Sequence, residues 1–305
     1  MKRLEFHISY TCVNKCSFCS EYDRMEQFKR NPVSFSEIKK ELIVKRKEGF
    51  DFVNFTGGEP TMHPDFPEIA KYAKELGYRI YIGTNGCMLA KKEFCEDAVP
   101  FLDEISFSIH GHTAPLHDVL VGRKGAFRDI VAAIQNIDAL GFTNKFANSV
   151  MVRDNFESAG SILEFLGERG FSQVLFSNLA PEGMGLRQYK DLSVRIDEWR
   201  RKVPELVAIV EKYEMTMRFF GLPLCALKQY AFLSNDLFWD ARTTIERSGA
   251  PIPALVDVPG DVPARNRVKT DRCGMCAYGK MCFGVFDAYV ANFGDTELRP
   301  FCDEE

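Results

Sequence analysis

The sequence predicts an α/β fold built from repeated strand–helix units. Short runs rich in β-branched and aromatic residues mark the strands, and longer helix-like stretches separate them. Connections of this length join parallel strands, so the pattern predicts a barrel or a doubly wound sheet. The six predicted strands span 4–10, 51–56, 79–84, 104–109, 146–152 and 173–178.

Helix-like stretches fill the intervals between these strands. They span 34–48, 65–76, 91–98, 126–140 and 158–169. Ser34 and Glu37 have the spacing of a capping box and predict the start of the first helix. Gly77 follows the second stretch and predicts its end.

Composition limits the classes of protein to consider. The chain has 305 residues, 46% hydrophobic and 27% charged, enough for one large domain and a small one. A net charge of −4 without a long basic run argues against nucleic acid as a partner. No apolar stretch is long enough to span a membrane and no signal peptide is visible, so we expect a cytoplasmic protein. The ten cysteines cluster in ligand-like spacings instead of a disulfide framework.

Three cysteines follow the first predicted strand on one short loop: Cys12, Cys16 and Cys19. Three thiolates can hold three corners of a 4Fe–4S cube and leave the fourth iron without a protein ligand. An open metal position is typical of a site that binds substrate or cofactor. The alternatives are a zinc knuckle or core thiols. A zinc site usually has a fourth ligand, and the nearest upstream candidate is His7.

A second motif, Gly57-Gly58-Glu59-Pro60, ends the second predicted strand. Two glycines at the C-terminal end of a strand let the backbone approach a ligand closely. Glu59 adds an acceptor beside free backbone groups, and several acceptors together suit an ammonium group. The alternative is an ordinary tight turn with proline at its exit.

These two motifs together resemble those of the radical S-adenosylmethionine (AdoMet) superfamily. The matching residues are the three cysteines, the aromatic Phe18 before the third, and the glycine motif. The resemblance implies an open, partial (β/α)6 barrel in which AdoMet chelates the open iron and is cleaved to a 5′-deoxyadenosyl radical. It also implies that Gly57, Gly58 and Glu59 hold the AdoMet amino group and that Phe18 lies by the adenine.

The same resemblance assigns further residues at the strand ends. It implies Ser108, after the fourth strand, as an AdoMet ligand and Leu179, after the sixth, as a residue that packs on the adenine. Thr84 matches a frequent Thr-Asn-Gly turn at the third strand end. Many members have Asp where this chain has His110, and an arginine two positions before Arg123. We expect Arg123 to supply the missing carboxylate contact.

Two residues at the predicted barrel mouth are candidates for catalysis. His110 is fixed by a strand end and is the best placed of three nearby histidines for substrate contact; the alternative is a loop histidine. Cys87 lies in a mouth loop, where its thiol could return a hydrogen atom to a product radical. The alternative is an uninvolved loop thiol.

The strand–helix alternation changes after about residue 183. A helical pattern at 192–213 contains Pro204, which predicts a kink or two helices. Met215 to Phe220 is strand-like. The proline-rich stretch 250–264 predicts an ordered loop.

Four cysteines in the last third of the chain predict a second metal site. They are Cys225, Cys273, Cys276 and Cys282. Four thiolates are the full complement for a closed 4Fe–4S cluster. The alternatives are a structural zinc site or unliganded core thiols. Cys302 could replace Cys225 as the fourth ligand.

The C-terminal region resembles the twitch cap, or a truncated SPASM domain, of many radical AdoMet enzymes. The resemblance implies a partial barrel over 1–213 and a small cap over 214–305 that holds one auxiliary 4Fe–4S cluster. That cluster would accept an electron from a substrate radical, bind substrate or brace the cap.

We therefore predict a radical AdoMet enzyme that takes a hydrogen atom from a peptide or small molecule, with peptide or natural-product and cofactor maturation favoured. The alternatives are a small-molecule dehydrogenase and a non-catalytic iron–sulfur electron carrier. The expected partner is an electron donor such as flavodoxin or ferredoxin. Since the first predicted strand begins at residue 4, we expect no leader-binding domain before it, which slightly disfavours leader-dependent maturases.

Overall fold

The computed structural model describes residues 1–249, 251–260, 263 and 265–301. Within them, one nine-stranded sheet dominates the fold. Its strands are β1 (Arg3–Ser9), β2 (Phe52–Gly57), β3 (Arg79–Thr84), β4 (Glu104–Ser108), β5 (Lys145–Met151), β6 (Gln173–Asn178), β7 (Thr216–Phe220), β8 (Arg242–Ser248) and β9 (Ala254–Gly260). The spatial order is β7-β6-β5-β4-β3-β2-β1-β8-β9. Neighbouring strands are parallel, except that β8 and β9 are antiparallel.

Helices connect the parallel strands. They are α1 (Tyr22–Phe28), α2 (Phe35–Lys47), α3 (Phe66–Glu75), α4 (Lys92–Ala98), α5 (Ala114–Leu120), α6 (Ala126–Ala139), α7 (Arg153–Phe156), α8 (Ala159–Gly167), α9 (Gly183–Arg187), α10 (Tyr189–Leu192), α11 (Ile196–Lys212), α12 (Leu224–Leu227) and α13 (Asp287–Phe293). The predicted capping box of α2 is confirmed, because Ser34 Oγ accepts the Glu37 N–H at 3.3 Å and Glu37 Oε2 accepts the Ser34 N–H at 2.9 Å. Among the helices described, none combines the length and the apolar character that crossing a membrane requires.

The two faces of the sheet differ in polarity because side chains alternate along each strand. The face toward the helices buries apolar residues such as Leu4, Phe6 and Ile8 of β1, which are at most 1% exposed. The opposite face carries polar side chains, among them Glu5 and Asn54, and lines a cavity of about 320 Å³. The α/β prediction is therefore confirmed, and the sheet encloses a polar lumen instead of a packed apolar core.

One expectation for the later part of the chain was wrong, and one of two alternatives for another part is excluded. Residues 250–264 were expected to form a loop, but Ala254–Gly260 forms β9 and pairs along its length with β8. Backbone pairing orders this strand although its side chains lack a clear alternation, and Pro259 is tolerated because β9 is an edge strand. The chain also does not divide into two helices at Pro204, since α11 continues through it.

The strands after residue 213 join the main sheet. β7 pairs with β6 at one edge, and β8 pairs with β1 at the other. A separate two-stranded pair, β10 (Arg267–Val268) and β11 (Val285–Phe286), lies within the cysteine-rich region. The division into 1–213 and 214–305 stays a prediction.

Candidate active site

The three N-terminal cysteines lie on the loop between β1 and α1, at the carboxyl edge of the parallel strands. Cys12, Cys16 and Cys19 line one cleft of about 590 Å³, together with Tyr10 and Met184. Ligands of α/β folds bind at this edge, where strand ends leave backbone groups free. The structure thus brings the three predicted cluster ligands together at one surface.

A segment that the sequence did not single out anchors this loop. Met184 donates its backbone N–H to the carbonyl oxygen of Cys19 at 2.9 Å, and the Gln188 side chain donates to the carbonyl oxygen of Ser17 at 2.8 Å. Gly183 has a φ of +54°, and a Cβ atom there would lie 2.5 Å from the Cys19 carbonyl oxygen. Only glycine fits so close an approach, so Gly183 was the available sequence signal.

Two N–H groups point at the sulfur of Cys12. The backbone of Asn14 and the side chain of Asn85 each donate to Cys12 Sγ at 3.4 Å. Such donors orient and stabilise a thiolate ligand. Burial raises the pKa of Cys12 and of Cys19 to about 11 each, so metal binding must displace the thiol protons.

The donor set fits a cluster with an open corner. Three thiols face one cleft, yet no three or more His, Cys, Asp or Glu side chains of the described residues gather tightly enough to hold a single metal ion. A 4Fe–4S cube places each thiolate on a different iron, so its ligands need not converge on one point. Cys12, Cys16 and Cys19 are the residues that would hold such a cluster.

The glycine motif packs against the base of the cysteine loop. Gly58 and Glu59 donate their N–H groups to the carbonyl oxygens of Ser9 and Thr11, both at 2.8 Å. A Cβ atom on Gly57 would lie 2.1 Å from the Ser9 carbonyl oxygen, and one on Gly58 would lie 2.6 Å from that of Thr11. Both glycines are therefore required for the fit of β2 against this loop. Their contact with the AdoMet amino group stays a prediction.

The Glu59 carboxylate is buried and joins the ends of β2 and β3. Its Oε1 accepts the N–H of Thr61 at 3.2 Å, the Thr61 hydroxyl at 2.5 Å and the Thr84 hydroxyl at 2.7 Å, and its Oε2 accepts the N–H of Asn85 at 2.7 Å. Burial raises the pKa of Glu59, although these donors act to lower it. Glu59 and Thr84 are thus bonded to each other, and their predicted cofactor contacts stay predictions.

Three other residues predicted to bind AdoMet lie around the same edge. Phe18 is buried and meets His110 edge to face, with ring centroids 4.8 Å apart. Leu179 is fully buried after β6 and lies 3.2 Å from the Cβ position of Gly185. Ser108 is the last residue of β4 and is partly buried, on the same face of that strand as Ser106, which lines the lumen.

Arg123 is tied directly to the cysteine loop. Its Nε donates to Asn14 Oδ1 at 2.7 Å, and its Nη1 donates to Asp129 Oδ2 at 2.6 Å. Asn14 lies between Cys12 and Cys16, so Arg123 helps to fix the loop. Within the residues that the structure covers, the buried Nη2 of Arg123 has no hydrogen-bond partner.

His110 is buried in a stack with a second histidine. The ring Nδ1 of His110 accepts the backbone N–H of Val150 at 3.2 Å. The backbone N–H of His110 donates to Nδ1 of His117 at 3.2 Å. The two imidazole rings are parallel, with centroids 5.8 Å apart. Burial lowers the pKa of His110 well below its usual value, so the ring is neutral. Its predicted substrate contact stays a prediction.

Cys87 lies in the turn after β3 and is partly exposed. Burial raises its pKa to about 12, and the nearby Glu59 carboxylate and Cys12 also act to raise it. The thiol therefore keeps its proton, as hydrogen-atom donation would require. That role stays a prediction.

A charged cluster that the sequence did not reveal lies in the lumen. His7 Nδ1 is 3.4 Å from Glu21 and its Nε2 is 3.7 Å from Glu5. Burial alone would lower the pKa of His7, but these two carboxylates raise it to about 9. Arg24 bridges Glu21 at 3.0 Å and Glu246 at 3.2 Å. Glu246 comes from a distant part of the chain, on β8, so the complete cluster forms only in the fold.

The four C-terminal cysteines line one cavity. They are Cys225, Cys273, Cys276 and Cys282. Cys282 Sγ accepts the backbone N–H groups of Leu224 at 3.5 Å and Gly284 at 3.3 Å. The first of the four is buried and the other three are partly exposed. Cys302, the alternative fourth ligand, lies outside the described residues.

A mostly parallel sheet with a cysteine loop and a glycine motif at its carboxyl edge defines an α/β protein with three thiols on one cleft at the strand ends. Residues 6–166 match the Radical SAM superfamily. The chain belongs to this superfamily, and membership implies a 4Fe–4S cluster and AdoMet as cofactors. Membership favours an enzyme over the non-catalytic electron carrier.

Named relatives include two kinds of protein. Mycofactocin maturase MftC of Mycolicibacterium smegmatis is 26% identical over 221 residues, which cover 72% of this chain and 55% of that protein. A probable GTP 3′,8-cyclase of Saccharolobus solfataricus is 27% identical over 246 residues, 78% of this chain and 77% of that protein. The chain thus spans about half the length of the mycofactocin maturases it matches.

Solved structures share the fold. Streptococcus suis SuiB bound to S-adenosylmethionine aligns with a TM-score of 0.65 and 18% identity, over 99% of this chain and 76% of that one. Native anSMEcpe with bound AdoMet aligns with a TM-score of 0.57 and 15% identity, over 72% of this chain and 64% of that one. These likenesses confirm the radical SAM fold.

Proposed function

We propose that this chain reductively cleaves AdoMet and uses the product radical to modify a peptide. When bound, the reduced cluster supplies one electron that breaks the AdoMet sulfonium bond, which gives methionine and a 5′-deoxyadenosyl radical that takes a hydrogen atom from substrate. The observation that carries the proposal is the convergence of three cysteines on one cleft, beside the glycine motif at the strand ends. An electron donor such as flavodoxin or ferredoxin would reduce the cluster.

The chain's own side chains would bind and orient the reactants. Asn14 and Asn85 donate toward Cys12 Sγ and would stabilise the thiolate there. Arg123 already holds Asn14 through Nε. Its buried Nη2 has no partner among the described residues and is available for a carboxylate, as the AdoMet methionine group provides.

The C-terminal cysteines would hold an auxiliary 4Fe–4S cluster. Four thiols around one cavity supply one ligand for each iron of a cube. Backbone N–H groups of Leu224 and Gly284 point at Cys282 Sγ, as donors do in cluster sites. We assign this cluster to oxidation of the substrate radical, with substrate binding and bracing of the region as the other roles.

A peptide is the favoured substrate. The name of mycofactocin maturase indicates a role in maturation. Solved structures with a similar fold include SuiB bound to its precursor peptide SuiA and anSMEcpe with bound Cp18Cys peptide. The cleft of about 590 Å³ at the cysteine loop lies at the carboxyl edge of the sheet, where a substrate side chain would meet the cluster. A small molecule is the second candidate, and the similarity to a probable GTP 3′,8-cyclase over 77% of its length supports it.

Two assays test this function in sequence. Anaerobically reconstituted and reduced chain is incubated with AdoMet, and 5′-deoxyadenosine is measured, with Cys16→Ala as the inactive control. Peptides encoded beside the gene are then added and analysed by mass spectrometry. We expect 5′-deoxyadenosine from the unmodified chain alone and a mass change in a peptide. No 5′-deoxyadenosine would refute AdoMet cleavage, and modification of a small molecule instead would refute the peptide assignment.

A further inference from the structure

The outer side of β9 is an exposed sheet edge. β9 is the last strand of the nine-stranded sheet, and no described strand pairs with its outer side. The opposite edge differs, because Phe219 of β7 forms a bridge with Ser234. Ala254, Asp257, Val258 and Pro259 of β9 are exposed. An exposed strand edge offers a row of unpaired N–H and C=O groups to another extended chain.

The register of the hairpin shows which backbone groups point outward. The Arg247 N–H donates to the hydroxyl of Tyr10 at 2.6 Å. Tyr10 directly follows β1, and β8 lies between β1 and β9, so this N–H points toward β1 and away from β9. The pair of Arg247 with Leu255 is therefore not hydrogen-bonded across the hairpin.

Hydrogen-bonded and non-hydrogen-bonded pairs alternate along an antiparallel ladder. The pair of Ile245 with Asp257 and the pair of Thr243 with Pro259 are therefore also non-hydrogen-bonded pairs. It follows that Leu255 and Asp257 direct both N–H and C=O away from β8. Pro259 has no N–H. It shares the outward orientation of Leu255 and Asp257, so the ladder between β9 and β8 loses no hydrogen bond there.

The edge also leads to the active site. β9 is antiparallel to β8 and hence to β1, and the Ala254 end of β9 lies opposite Ser248 at the carboxyl end of β8. A chain laid antiparallel to β9 would run parallel to β1 and leave the edge at the same side of the sheet as the cysteine loop. Its side chains would alternate between the lumen face, beside Val256 and Val258, and the helix face, where Asp257 pairs with Lys45.

We propose that β9 binds an extended segment of the peptide substrate by strand addition, through the outward backbone groups of Leu255 and Asp257. The bound segment would be N-terminal to the residue that is modified, since a strand in this direction enters the active site with its C-terminal end. The proposal rests on the proposed function, because it takes a peptide to be the substrate. The backbone groups of a free strand edge bind any extended peptide, and contacts with alternate side chains of that peptide give selectivity.

Two substitutions at one position separate the backbone group from the side chain. Asp257→Pro removes an outward N–H while it leaves the β8 ladder intact, as Pro259 already does two residues on. Asp257→Ala keeps the N–H and removes only the ion pair with Lys45. The probe is a displayed library of random twelve-residue peptides, selected on the unmodified chain. We expect selected peptides that bind the chain and Asp257→Ala alike and bind Asp257→Pro at least about tenfold more weakly.

Amide hydrogen exchange on the unmodified chain gives a second readout that does not depend on folding of the proline variant. The amides of Leu255 and Asp257 should exchange fast in the free chain and slowly with a selected peptide, while Val256 and Val258 should be protected in both. The proposal would be overturned if every selected peptide bound Asp257→Pro as tightly as it binds the unmodified chain. So would a dimer of the unmodified chain that Asp257→Pro converts to monomer, because a second copy would then occupy the edge.

The proposed function is judged separately. AdoMet cleavage by Asp257→Pro should equal that of the unmodified chain, because the edge carries none of the cysteine ligands. If the unmodified chain bound peptides at β9 but cleaved no AdoMet, strand addition would stand and the proposed function would fail.

Discussion

The two cysteine sites of this chain are built in opposite ways. At the N-terminal site three cysteines of one short loop face a cleft of about 590 Å³ at the carboxyl edge of the sheet. At the C-terminal site four cysteines from two separate segments line one small cavity. Three thiols leave one iron of a cube free for a ligand, whereas four complete it. The first site is therefore suited to bind a reactant and the second to hold its cluster closed.

The sites also differ in what surrounds the sulfur atoms. The side chain of Asn85 donates to Cys12 Sγ, and Arg123 and Glu59 hold the loops around it. Cys12 Sγ also accepts the backbone N–H of Asn14, whereas both described donors to Cys282 Sγ are backbone N–H groups. Side-chain substitutions should therefore tune the open site selectively, whereas the closed site depends on the path of the backbone.

The largest effect should come from removal of the open site. Replacing Cys12, Cys16 and Cys19 with Ala removes all three proposed ligands, so 5′-deoxyadenosine formation should fall below detection. Iron should fall from about eight to about four atoms per chain, because the second cube stays. Cys95→Ala, which removes a buried thiol of α4, is the control and should keep full iron content. Unchanged iron in the triple variant would show that these thiols hold no cluster.

The closed site should separate product formation from AdoMet cleavage. Cys276→Ala takes one thiolate from a complete set, so this cluster should become labile and iron should drop to about half. AdoMet cleavage should persist and peptide product should disappear, as followed by chromatography and mass spectrometry. Circular dichroism must show a folded chain, since a closed metal site can stabilise its region. Normal product from a folded variant without the second cluster would contradict the assigned role.

The charged cluster beside the open site should appear as pH-dependent stability. The pKa of His7 is raised from 6.5 to about 9 in the folded chain by Glu21 and Glu5. A raised pKa stabilises the fold fully below pH 6.5, and this contribution is lost as the pH rises through about 9. It amounts to about 3 kcal/mol below that range. The stability difference between the unmodified chain and His7→Gln, from urea unfolding, should therefore shrink between pH 6.5 and 9; a constant difference would contradict the ion pairs.

The smallest effect should be a change in one reduction potential. Asn85→Ala removes a donor to Cys12 Sγ, and loss of such a donor makes a cluster harder to reduce. We expect a lowering of the open-site potential on the order of tens of millivolts and no change at the closed site. Asn136→Ala, whose side chain bonds to Leu89 instead, is the matched control. Equal shifts in both clusters would show that the effect is not local.

Much of the fold was predictable because β1 to β6 carry alternating side chains, α2 begins with a capping box, and glycines of positive φ follow α3, α6 and α8. β8 and β9 were missed because an edge hairpin is stabilised by backbone pairing, which leaves little trace in side-chain pattern. At the site, cysteine spacing indicated Cys12, Cys16 and Cys19 directly. The role of Asn85 depends on its contact with Cys12, 73 residues away, and the charged cluster around His7 is completed by the distant Glu246, so only the folded structure could reveal them.

Electron paramagnetic resonance of the two cysteine variants tests the central claim most directly. Each reduced variant, the triple Cys12, Cys16 and Cys19 replacement and Cys276→Ala, is measured with and without AdoMet. An open site predicts that AdoMet changes the spectrum of Cys276→Ala, because its remaining cluster has a free iron. A closed site predicts an unchanged spectrum for the triple variant. A response of the triple variant to AdoMet, or none from Cys276→Ala, would contradict the assignment of open and closed sites.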